Sequence, residues 1–534
     1  MKKFKIFLLT LVVSLGITSS CTDLEETMYS GLAAKDFVPT PGDVAMLLGP
    51  VYTPLRPMFM GWQGIFDVME ESADIKVTPV RPHGWFDGGT YQRMHRHEWP
   101  ATQWQPHNLW NHCFLIINAA NRVIFQIESG DIPITGDVKN KTLAELRGMR
   151  AWAYSVLLDS HGNVPIVTDF ADPSLPQQNT RSEVFNFVER ELLAILPYID
   201  DRVIPATYGR FTKWAALMTL SRIYLNAEVY IGTPKWQQVI NVSDSIINSG
   251  LFRLQDSYKS NFITRNEGSR EIIWAIPYDE ILATGWTQHN KTLAPDHRLV
   301  LGLLATPWGG SAGIPQFIDT YHPDDTRKQD TWIMGPQRHQ TTGAVLFTYD
   351  NFLPGIGVPI TSRNSTMFNG YRLGKYEVAV GARGSLSNDF LIFRYAEVLM
   401  NKAEALLRLG QNDALAAQLV TQVRERAFRT TNPAAATVTA HQLRGGSVYN
   451  YGWYEEGVVT IPEGGGDIVF GRFLDELGWE FAQEARRRTD LIRFGVFTTK
   501  SWFNRGPASP HEIIFPIPEA VLRANPNLRQ NPGY

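Results

Sequence analysis

The chain has 534 residues, a formal net charge of −3 and a pI near 6.5, so nothing in its charge points to nucleic acid or to an anionic lipid surface. Its two cysteines rule out a disulfide framework, and its length allows one large domain or two interleaved ones. The unusual quantity is aromatic content, 12% with 15 Trp, more indole than an average core needs.

The first 20 residues are expected to be an export signal. Lys2, Lys3 and Lys5 precede an apolar run, Ile6–Ile17, and small residues Thr18, Ser19 and Ser20 lead into Cys21. A cysteine directly after the cut implies lipoprotein processing, with Cys21 as the acylated new N-terminus and the remainder working outside the cytoplasm. Residues 21–45, with Asp23, Glu25, Glu26, Gly31, Pro39, Pro41 and Gly42, are expected to form an extended leader. No later stretch is long and apolar enough to span a bilayer.

Residues 46–534 are expected to be one domain, mainly α, built on a scaffold of paired helices. Helical spacing places Cys113, Ile117, Ala120, Ile124 and Ile127 on one face of 111–127, with Cys113 a core thiol. Further helices are predicted over 143–158, 182–196 with Ser182 as N-cap, 213–230, and from Thr233-Pro234 to Gly250. Later ones run over 395–409 up to Gly410, 412–428 and 476–492. Pairs recurring at this spacing (about 105–250 and 390–430) suggest degenerate tetratricopeptide-like repeats. Residues 255–390 are different, rich in Gly, Pro, Trp, Asn and Thr, with short β-type runs such as Ile272–Ile276. This loop-rich region, together with 60–110 and the Gly-rich 445–466, is where a functional surface is expected; a C-terminal helix and tail occupy 470–534.

Several segments resemble the SusD/RagB family of outer-membrane nutrient-binding lipoproteins. They are Leu146–Ala151 continuing to His161-Gly162-Asn163-Val164-Pro165-Ile166-Val167-Thr168, and Gly209-Arg210-Phe211-Thr212-Lys213-Trp214-Ala215-Ala216. Next come Arg394–Leu399 followed by Lys402-Ala403-Glu404-Ala405. Then come Glu480-Phe481 with Arg486–Arg493, where Ala485 replaces the usual Gly. The ending Pro516-Ile517-Pro518 to Asn525-Pro526-Asn527-Leu528 and Gln530–Tyr534 completes the set. The resemblance implies a surface-exposed, non-enzymatic binder of oligosaccharides, or in some members peptides, that caps a TonB-dependent SusC-type transporter. These motifs are mainly structural: Arg486, Arg487, Arg488 and Asp490 are expected to pin the last helix by ion pairs.

Sugars offer apolar ring faces edged by hydroxyls, so their sites combine flat aromatic platforms with carboxylate, amide and guanidinium groups. Gly84-Trp85-Phe86-Asp87-Gly88-Gly89 has that makeup, which nominates Trp85 and Asp87. Of the neighbouring indoles, Trp110 is expected in the core, while Trp99 and Trp104 fit either place. Family members often bind with this loop and one in the later irregular region, which here nominates Trp286 in Gly285-Trp286 and Trp308 in Pro307-Trp308-Gly309-Gly310. Asp67 and Arg372 are the proposed polar partners, from composition and approximate position in the family; a guanidinium fork grips two hydroxyls at once.

His95 and His97 would share one strand face as a metal pair, but no Cys, Asp or Glu completes the set. His511-Glu512 begins like a zinc-protease motif and fails because Phe515 stands where the second His must be. Phosphate-cradling loops, a nucleophile elbow and an EF-hand are absent, so neither cofactor nor metal is expected. Glu70, Glu71 and Asp74 offer paired carboxylates for glycoside hydrolysis, although their crowding suggests a solvated face or helix start. Besides the glycan-binding reading, a surface glycoside hydrolase and a protein-interaction scaffold remain as alternatives.

Overall fold

The computed structural model describes residues 40–357 and 366–534; the export signal, Cys21 and the leader up to residue 39 lie outside them. The described chain starts with helix α1 (Pro41–Tyr52), whose first turn is closed by a reciprocal Thr40–Asp43 capping box. Long helices follow in pairs. α2 (Trp104–Glu128) packs along α3 (Gly136–Ser160), and α3 along α4 (Arg181–Ile195). α5 (Lys213–Leu225) lies against α6 (Trp236–Asn248), α6 against α7 (Tyr395–Leu409), and α7 against α8 (Asp413–Phe428). This is the mainly helical, tetratricopeptide-like scaffold expected from the periodicity, and none of its described helices is long and apolar enough to cross a membrane. Its faces meet closely: a Cβ on Gly148 of α3 would stand 2.5 Å from the Phe211 ring and 3.0 Å from Ile195. Cys113 is fully buried on the α2 face predicted for it, and burial pushes its thiol pKa up.

Several boundaries differ, each for a local reason. α2 begins at Trp104 rather than near Asn111. α4 is capped by Thr180 through a box with Glu183, not by Ser182. The 213–230 stretch breaks at Asn226, which holds Arg493 at 2.9 Å and donates to Arg222. The 476–492 stretch is two helices, α9 (Gly471–Phe481) and α10 (Arg487–Arg493). Between them Gln483 (φ 65°) and Ala485 (φ 56°) take left-handed backbone. That explains the glycine expected at 485: the position demands positive φ, and Ala adopts it at a cost of about 1–2 kcal/mol. Residues 95 and 97 are not on a strand. Thr90–Arg96 is a short helix, and the imidazole Nε2 atoms of His95 and His97 lie 2.6 Å from the Phe503 carbonyl and 2.7 Å from the Ser72 carbonyl.

The loop-rich region contributes small two-stranded pairs rather than a sheet. Ile272–Ile276 runs antiparallel to Phe390–Arg394, Lys76–Val77 to Ala312–Gly313, and Trp332–Ile333 to Arg372–Leu373. Part of the Gly-rich 445–466 segment is a hairpin, Gly452–Glu455 with Val458–Pro462. Such short pairs cannot hold a domain together. Buried charge does. The Glu480 carboxylate of α9 receives Arg394 at 2.7 Å, Arg327 at 3.2 Å and Arg426, and all four side chains are essentially fully buried. Glu271 joins through Arg394 and Arg426, and Glu484 through Arg394 and Lys375. At the end of the chain Arg486 pairs with Asp490 (3.0 Å), Arg493 with Asp490 (2.7 Å) and Glu404, and Arg487 with Asp74 (2.7 Å). Arg488 differs from its neighbours: it donates to the Ile513 carbonyl and lies 4.6 Å from the Phe515 ring centroid.

Burial alone would raise the Glu480 and Asp490 pKa values; the surrounding arginines outweigh it and hold both at about 2. Their ordinary values are 4.5 and 3.8, so the stability they contribute is complete above those values and is lost as pH falls through about 2. Circular dichroism against pH should show unfolding confined to that acid window. Glu480→Gln should destabilise the protein by about 3–5 kcal/mol at neutral pH, because three buried arginines lose their shared partner. An unchanged denaturation midpoint would refute that role. Ala485→Gly should instead stabilise, by up to about 1 kcal/mol, as left-handed strain is relieved; a lowered midpoint would contradict the strain.

Candidate functional site: an aromatic platform

The loop before the Thr90–Arg96 helix departs from ordinary backbone. Gly84 (φ 143°), Trp85 (68°), Asp87 (42°), Gly88 (64°) and Gly89 (78°) all have positive φ. For glycine this is free; for a bulky indole it is a true outlier, and strain of this kind concentrates at functional sites. Trp85 is held there by its surroundings. Its Nε1–H donates to the Trp308 carbonyl at 2.8 Å, and its ring meets the Tyr91 ring edge-on at 5.6 Å. It also lies over Gly310, where a Cβ would stand 2.6 Å from the indole.

Trp308 sits on a turn whose amide donates to the Asn290 carbonyl at 2.6 Å, and its side chain is 42% exposed. Trp62 packs edge-on against it at 5.3 Å and donates its own Nε1–H to Thr287. Phe86, 59% exposed, and the exposed Asp87 continue the surface beside Trp85. The structure therefore brings together Trp85, Asp87 and Trp308 from the predicted residues, and adds Trp62 and Tyr91. Trp62 carried a usable signal: it stands between Gly61 (φ 91°) and Gln63 (φ 57°), the same turn-flanked setting as Trp85.

The other nominated residues are not at this surface. Asp67 is fully buried and pairs with Lys291 Nζ at 2.9 Å. Trp286 is fully buried in a cage of Tyr376 (4.7 Å), Phe390 (5.5 Å) and Phe66 (5.7 Å). Arg372 is fully buried, donates to the Ser311 carbonyl at 3.1 Å and to that of Met367, and lies 4.9 Å from the Tyr349 ring. All three are structural supports, because each spends its polar or apolar surface on the fold. Trp99 and Trp110 are core; Trp104 is half-buried.

Glu70, Glu71 and Asp74 are not a solvated face: all are fully buried. Glu71 binds Lys291 at 2.8 Å, and burial is outweighed by Lys291 and Lys76, holding it at about 2. Glu70 receives the Ala485 amide at 2.9 Å and is pushed by burial to about 7. Asp74 is taken by Arg487 and by the Tyr451 hydroxyl. None is available to a substrate, which removes the residues on which the hydrolase alternative stood. Among the described residues no three His, Cys, Asp or Glu side chains gather as a metal-holding group. Two cavities lie elsewhere. One of about 460 Å³ is lined by Val203, Ile204, Ile273 and Glu267, and one of about 320 Å³ by Tyr52, Arg56 and Tyr208.

Known proteins share this organisation. A family model described as "SusD family" matches residues 310–512, and one described as "Starch-binding associating with outer membrane" matches 68–225. The starch-binding protein SusD of Bacteroides thetaiotaomicron is 24% identical over 439 residues, 73% of this chain and 72% of that protein. Among solved structures, surface glycan-binding protein A from the same species superposes with a TM-score of 0.70 at 19% identity, covering 92% of this chain and 99% of that one. A laminarin-binding SusD-like protein gives 0.69 at 20% identity, covering 92% and 99%. At these identities the structural likeness concerns the fold.

Proposed function

The chain belongs to the SusD/RagB family, and from that premise we propose that it is a cell-surface glycan-binding lipoprotein. It seats sugar rings on the Trp85–Trp308 platform and passes them to a TonB-dependent SusC-type transporter in the outer membrane. The observation that carries this reading is the strained indole surface: the half-buried Trp85 is held at φ 68° against Trp308, which is 42% exposed. A fold maintains such strain and such exposed apolar area where a ligand uses it. Indole faces complement the C–H faces of pyranose or furanose rings, while the exposed Asp87 carboxylate beside them accepts from ring hydroxyls. Relatives described by starch, laminarin or surface-glycan binding favour an oligosaccharide ligand. The protein binds without cleaving: of the carboxylates considered for hydrolysis, Glu71 and Asp74 are spent on buried ion pairs and Glu70 is buried on the Ala485 amide. Lipid attachment at Cys21 keeps it at the membrane described for the family, with the chain up to residue 39 as tether; the binding domain starts with α1 at Pro41, five residues earlier than the boundary expected at 46.

Native gels cast with plant, fungal and host polysaccharides test the reading. The mature protein should be retarded by at least one glycan without releasing products. Trp85→Ala or Trp308→Ala should each weaken retention about 5- to 30-fold, the equivalent of about 1–2 kcal/mol of lost ring contact, with a thermal midpoint close to the parent. Retention unchanged in both variants would overturn the platform. Cys21→Ala should release the protein from the outer membrane; normal retention there would exclude the lipid anchor.

A further inference from the structure

Something must offset the strain in the Trp85 loop, and the residue best placed to do so belongs to neither nominated loop. Lys291 stands within the short Gln288–Thr292 helix and is 1% exposed. Its ammonium is clamped by Asp67 (2.9 Å) and Glu71 (2.8 Å) and lies 4.2 Å from the Tyr91 ring centroid and 6.0 Å from that of Trp85. Its carbonyl accepts from the amides of Gly310 (2.6 Å) and Ser311 (3.1 Å), and the carbonyl of its neighbour Asn290 accepts from Trp308. One residue thus holds both halves of the platform, the Trp85 side through an aromatic stack and the Trp308 side through the backbone.

We propose that Lys291 is the positioning residue of the aromatic platform: its buried, doubly clamped ammonium supports the Tyr91–Trp85 stack from below and keeps the two indoles in register for a sugar chain. The proposal deepens, and rests on, the glycan-binding reading. The physics is specific. A cation under a ring face gains most when desolvated, and here the ammonium is buried with its charge balanced, so the contact with Tyr91 is undiluted by water. Tyr91 in turn makes a T-shaped contact with Trp85 at 5.6 Å. Preorganising two platforms before a ligand arrives removes an ordering cost from binding.

The test labels the protein with 5-fluorotryptophan and follows the Trp85 and Trp308 ¹⁹F resonances, assigned with Trp85→Phe and Trp308→Phe, in the absence of any glycan. Lys291→Met leaves Asp67 buried without its cation, so a second protein, Asp67→Asn/Lys291→Met, removes the clamp while Glu71 keeps the buried Lys76 at 3.6 Å and the interior stays neutral. In the neutralised protein the Trp85 resonance should broaden and move toward the solvent-exposed position, and glycan retention should fall about tenfold; Lys291→Arg, which retains the charge, should restore part of both. A Trp85 resonance identical to the parent in the neutralised protein would overturn the proposal, as would a shifted resonance with undiminished retention. A resonance that shifts in the variant of a parent that retains no glycan supports the support role and counts against the glycan reading alone.

Discussion

The Glu480 carboxylate, with Arg327, Arg394 and Arg426 around it, is the interaction on which the rest of the architecture depends. Those three arginines come from the loop-rich region, from the end of a strand and from the repeat helix α8, while Glu480 belongs to the C-terminal helix α9. Helices of this scaffold would associate through apolar faces in any case. The stretch between Glu271 and Lys375 has only short helices and strand pairs, and it joins the same apolar core through single side chains such as Trp274, Trp286, Phe317 and Trp332. It is tied in by charges that cannot be left unpaired once buried, so each segment has one acceptable seat. Apolar packing stabilises the molecule; the ion network decides where its irregular region lies.

The same device recurs, smaller, beneath the aromatic platform. Asp67 and Glu71 come from one short segment and Lys291 from another more than two hundred residues away. Their contact fixes the separation of the loops that carry Trp85 and Trp308. Arg81 adds to this from a third direction, donating to the Gly310 carbonyl at 3.1 and 3.0 Å and to that of Asn369 at 2.8 Å. A strained loop is thereby held by a rigid, charged floor, which is the arrangement expected of a surface built to receive a ligand with little rearrangement.

The scaffold was legible in the residues and the polar half of the site was not, for physical reasons. Helical spacing over 111–127 and 395–409 is a one-dimensional pattern, and the structure follows it, with about two further turns at the start of the first helix. Trp286 and Trp308, in contrast, carry the same local signature, an indole beside glycine. One is caged by Tyr376 and Phe390, and the other is 42% exposed. The indole's own signature does not separate them, because most of the cage (Tyr376, Phe390 and Phe66) comes from 90 and more positions away, with Tyr278 the one near neighbour. Asp67 and Arg372 failed likewise: a charged residue in a loop suggests solvent, and only the fold reveals that Lys291 or the carbonyls of Ser311 and Met367 await it. Ala485 shows the opposite case. A single departure from the family pattern marked a position whose left-handed backbone is visible only in three dimensions.

The most direct test of this account is a crystal structure of the mature protein soaked with an oligosaccharide of the polysaccharide that retains it. A sugar ring stacked within about 4 Å of the Trp308 and Trp85 faces, with a hydroxyl on the Asp87 carboxylate, is the predicted result. A sugar ordered instead in the groove between Val203 and Ile273, with the indole surface bare, would contradict it.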